Sequence, residues 1–130
     1  MRGGVRGEQL GNDTTLATLQ RQVLAFREAR AWRQFHTPKN LAMALAIEAG
    51  ELQELFLWKD DGEIQAALRD PHFHHRLQEE MADVLIFLLY LADAAQVDLA
   101  AAVPAKIAKN EAKYPMSKCH GRHAKYSELE

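Results

Sequence analysis

The 130-residue sequence has 16 basic and 18 acidic residues, a formal net charge of −2 and an apolar share of 48%. That length and composition describe one globular domain with a real core, neither a disordered chain nor two domains. With no basic excess there is no field to hold a nucleic-acid polymer, whereas a small anion held through a metal is not excluded.

The chain opens on MRGGVRGEQLGN, polar and glycine-rich with no apolar h-region, so residues 1–12 read as a flexible lead. After Asn12 or Asp13 as N-cap, Leu16, Leu19, Val23 and Phe26 recur at steps of three and four. That spacing predicts an amphipathic helix to about Trp32. Thr37 before Pro38 reads as a cap followed by proline at the first helical position, and a second helix should run to about Trp58. KDDGE and DPHFHH are breaks, with a short helix between them over Ile64–Leu68. A third long helix is expected from His74 or His75 to about Ala95, and Asp98 caps the next.

That last helix ends before Pro115. Pro104 kinks it if it starts at Leu99, or opens it if it starts at Val103 or Pro104. Residues 115–130 read as a polar, irregular tail, leaving 13–114 as the domain. The longest apolar stretch, Met81 to Val97, contains Asp83, Asp93 and Gln96 and is too short and charged to span a bilayer. The lone cysteine, Cys119, has no disulfide partner within the chain. A cytoplasmic protein without a membrane partner is the expectation.

The informative anomaly is where the acids fall. Leu41, Leu45, Leu52 and Leu55 mark the apolar stripe of the second helix, yet Glu48 occupies that stripe and Glu51 lies beside it. In the third helix the stripe is Leu77, Met81, Val84, Leu88 and Leu91, and Glu80 and Asp83 flank Val84. Unpaired carboxylates on apolar faces are costly and repel one another; a shared divalent cation removes both penalties. All-carboxylate ligation suits Mg²⁺ or Mn²⁺ rather than Zn²⁺, and Mg²⁺ leaves positions for water and substrate phosphates. A single E-x-x-E is ordinarily a solvated face. Two such pairs intruding on two apolar stripes are harder to read that way.

WRQFHTPKNL, EAGELQELFLWK, EEMADVLIFLLYLA and KNEAKYP stand in order between Ala31 and Tyr114, with KYSEL following at 125–129. Together they resemble the MazG-like all-α NTP pyrophosphatases, and among these the dCTP pyrophosphatase branch. The resemblance covers about two-thirds of the chain continuously. It implies a four-helix-bundle-like fold, assembled as a homotetramer with sites between subunits, and hydrolysis of dCTP or a modified dCTP to the monophosphate and pyrophosphate. It also identifies Glu48, Glu51, Glu80 and Asp83 as the metal-binding and catalytic acids. Trp32, His36 and Trp58 would line the base pocket with Asn40 beside it, and Lys106, Lys109, Asn110 and Tyr114 would approach sugar or phosphates.

Two positions depart from that pattern. Val23 stands where branch members have a histidine, and Phe87 where they have a tyrosine; both bear on base preference and neither on the metal. His72, His74 and His75, and likewise Cys119, His120 and His123, lack the spacing of a zinc site. A ferritin-like di-iron bundle would need Glu-x-x-His motifs that are absent here. The alternative of another class is a non-catalytic helical interaction module whose acids face water.

Overall fold

The computed structural model describes residues 14–123, so the N-terminal lead, the expected caps Asn12 and Asp13, and the KYSEL segment lie outside the described residues. All regular structure there is helical. In chain order come α1 (Leu16–Ala29), a 3-10 turn (Arg33–Phe35), α2 (Pro38–Glu54), α3 (Asp61–Leu68), α4 (Pro71–Ala95), α5 (Leu99–Lys113) and α6 (Met116–Cys119). They fall into two compact units, one ending at Gln96 and the other beginning at Val97.

Helix boundaries follow capping chemistry more closely than apolar periodicity. Thr15 caps α1 by accepting from the Thr18 amide. That helix stops at Ala29, short of Trp32, because Ala31 turns into the left-handed region at φ 54°. Thr37 and Pro38 start α2 as expected, but the helix ends at Glu54 and the chain turns through to Trp58, itself left-handed at φ 67°. The two stretches read as breaks are helix starts. Asp60 and Glu63 form a reciprocal capping box, extending α3 back to Asp61. Asp70 caps α4 with Pro71 at its first position, three residues before His74.

In the first unit α4 is the common partner, with α2 packed most extensively along it and α1 and α3 less so. Leu41, Leu55, Phe73, Leu89, Tyr90 and Ala92 form the buried core. Met81, expected on the apolar stripe, is exposed instead.

In the second unit α5 starts at Leu99, with Asp98 accepting from the Ala101 amide, and Pro104 sits inside the helix. Lys106, Lys109, Asn110 and Lys113 share one of its sides. Residues 116–119 of the expected irregular tail form the single turn α6. No single helix among the described residues is long and apolar enough to cross a membrane.

Candidate metal centre and aromatic cleft

The packing of α2 along α4 brings acids from two helices together. Glu48 from α2 and Glu80 and Asp83 from α4 each offer a carboxylate oxygen, and these atoms all lie within 4.8 Å of one another. All three side chains are half-buried. Glu51, one turn further along α2, is exposed and outside that group, yet close enough to repel both Glu48 and Glu80.

Electrostatically the cluster is under tension. Burial is the largest cause pushing the Glu48 carboxyl above its usual range, followed by the charges of Glu51 and Asp83. Glu80 is raised in the same way, by burial first and then by Glu51 and Asp83, with Arg76 partly opposing. The Glu80 Oε2 atom is buried without a hydrogen-bond partner. An orphaned acceptor facing two further carboxylates is the donor set a hard divalent cation satisfies. These residues fit such an ion.

Asp83 is shared with a second feature. A cleft of about 390 Å³ is lined by Gln22, Val23 and Phe26 of α1, Trp32, and Asp83, Ile86, Phe87 and Tyr90 of α4. Its aromatic side chains stand in two pairs. Phe26 meets Trp32 edge-on at 5.8 Å between ring centroids, and Phe87 meets Tyr90 in the same way at 5.8 Å. His36 adjoins one ring of each pair, its centroid 4.7 Å from that of Tyr90 and 6.5 Å from that of Trp32. Burial lowers its pKa, assisted by the Arg27 charge, which favours the neutral imidazole. A broader depression of about 460 Å³ from Gly50 to Leu57 touches none of the four acids.

Of the residues singled out by sequence, the structure brings Glu48, Glu80, Asp83, Trp32 and Phe87 to one place, with His36 adjoining. Asn40 is occupied in donating to the Phe35 carbonyl at 3.3 Å, tying the start of α2 to the 3-10 turn. Trp58 is not part of the cleft: it is 90% exposed. Lys106, Lys109, Asn110 and Tyr114 belong to the second unit.

Sequence reasoning missed Gln22, Tyr90 and the buried Arg27. For Arg27 a signal existed, since it falls four residues after Val23 on the apolar side of α1, an unusual place for a charge.

Comparison with known proteins identifies the family. The MazG-like family pattern matches residues 43–129. The dCTP pyrophosphatase 1 of Bos taurus is 40% identical over 137 residues, an alignment covering 99% of this chain and 81% of that protein. The Homo sapiens protein of the same name is 41% identical, with 98% and 82% covered. The crystal structure of a pyrophosphatase from Archaeoglobus fulgidus superimposes with a TM-score of 0.69 at 43% identity, covering 75% of this chain and 89% of that one.

Proposed function

The chain belongs to the MazG-like family, and on that premise we propose that it is a divalent-cation-dependent nucleotide pyrophosphohydrolase acting on dCTP or a modified dCTP. The observation that carries this reading is the convergence of Glu48, Glu80 and Asp83 beside an aromatic cleft that has Asp83 in its own wall. Carboxylates and a flat apolar cleft sharing a residue suit a ligand with phosphates at one end and a base at the other.

Glu48, Glu80 and Asp83 would hold the cation, Mg²⁺ or Mn²⁺, with Glu51 as the fourth carboxylate. When bound, the cation screens the triphosphate charge and acidifies a water. The chain's own part is positional. Trp32 and Phe87 offer aromatic faces to the base. Glu48 or Glu51 orients the attacking water and takes its proton as the α-phosphorus is attacked and pyrophosphate leaves. Val23 and Phe87 line the cleft without an imidazole or a hydroxyl, which favours bases carrying apolar substituents.

We assign the sugar and phosphate contacts to Lys106, Lys109, Asn110 and Tyr114, following the family pattern, and place the protein in the cytoplasm, where Cys119 stays reduced. The active form is a homotetramer with sites between subunits, supported by the large apolar side chains one copy leaves exposed, Met43, Ile47 and Trp58 among them.

Pyrophosphate release from a panel of ribo- and deoxyribonucleoside triphosphates, with and without Mg²⁺, tests this. The expected result is cation-dependent release that is fastest with a dCTP-type substrate. Inertness towards the whole panel would leave a helical interaction module as the remaining reading.

A further inference from the structure

Arg27 is 2% exposed, the only charged side chain among the described residues that is buried. Its Nη1 donates to Asp93 on α4 at 3.2 Å, and its Nε donates to Glu28 at 2.9 Å. The same Glu28 oxygen accepts from Nε of Arg33 in the 3-10 turn at 2.9 Å. One chain of ion pairs therefore joins α1, α4 and the turn that follows Trp32.

Stability alone is a poor reason for this arrangement. Buried ion pairs are commonly replaceable by apolar side chains without loss. This one is also incompletely satisfied: Nη2 lies 2.7 Å from Glu28 without hydrogen-bond direction and has no other partner. Position is the better reason. The guanidinium carbon lies 5.9 Å from the centre of the Tyr90 ring, and Tyr90 forms part of the cleft. Trp32, also in the cleft lining, follows directly after the left-handed Ala31, a conformation that persists only where its surroundings impose it. The Glu28–Arg33 pair closes that turn.

We propose that Arg27 is a positioning residue of the aromatic cleft, fixing Trp32 and Tyr90 at the spacing that accepts a planar base. It acts on affinity for the base-bearing part of the ligand and not on phosphoryl transfer. The inference rests on the functional reading above, and its test separates the two.

The test is calorimetric titration of dCMP, and separately of pyrophosphate with Mg²⁺, into the wild type and Arg27→Met, alongside steady-state hydrolysis of dCTP. The expected result is a dCMP Kd and a dCTP KM raised about tenfold, with pyrophosphate affinity and kcat within about twofold of wild type. A general structural defect would weaken both ligands together. If Arg27→Met does not fold, the same titrations on Arg27→Lys decide the matter. Lysine keeps the charge but not the planar fork, and should weaken dCMP at least about threefold. Equal loss for both ligands, no loss for either, or a wild type that does not bind dCMP overturns the proposal. A wild type that binds dCMP but does not hydrolyse dCTP overturns only the functional reading.

Discussion

A carboxylate that lacks a partner in the folded chain is informative because its removal has different effects on stability and on activity. Glu80 Oε2 is buried without a hydrogen bond. Glu80→Gln and Asp83→Ala should leave the metal-free fold intact or firmer while lowering kcat/KM for dCTP at least about a hundredfold. Thermal melting beside pyrophosphate release checks both halves. The raised carboxyls of Glu48 and Glu80 also make protons compete with the cation, so the Mg²⁺ concentration needed for half-maximal activity should rise as pH is lowered from 8 towards 5. A flat dependence would remove these acids from the metal site.

His36 makes a separate prediction, with the sign set by its lowered pKa. The folded state binds a proton less readily than the unfolded chain, whose histidine titrates near 6.5. Its contribution is full above that value and is lost as pH falls towards the lower folded pKa. The melting temperature should therefore fall as pH drops below 6.5, and His36→Gln should flatten that slope.

Among the elements, helix ends carry the most local information. The Asp60–Glu63 capping box closes two backbone donors at the start of α3, with contacts of 2.8 and 2.9 Å. Asp60→Ala should cost about 1 kcal/mol, read from chemical denaturation. Thr37–Pro38 and Asp70–Pro71 use the same cap-then-proline device. The first is plain in the sequence because polar residues precede it; the second is masked by the histidines that follow. The end of α1 had no such signal. A glycine would announce a left-handed turn, whereas alanine at position 31 is held there by its surroundings.

For the whole molecule, the exposed apolar surface is the feature that one copy leaves unexplained. Met43 and Ile47 stand one turn apart on α2, and Met81 and Leu85 do so on α4. Ile47 is 61% exposed, so Ile47→Glu should change the stability of a lone copy little. In sedimentation it should convert the proposed tetramer to smaller species, with loss of dCTP hydrolysis. A wild type that sediments as a monomer would remove the assembly from the reading.

The all-helical class, the start of α2 and the intrusion of Glu48, Glu80 and Asp83 on apolar stripes were legible from the chain alone, because period, capping and charge cost act within a few residues of each other, whereas Glu51 lies exposed outside the cluster. That Glu48 meets Glu80 and Asp83, that Asp83 also walls an aromatic cleft, and that Arg27 lies buried beneath Tyr90 depend on which face of α4 each neighbour covers. Local sequence cannot set that choice. It is made when α1 and α2 pack on α4, since burial of apolar surface is non-directional until the helices are in contact.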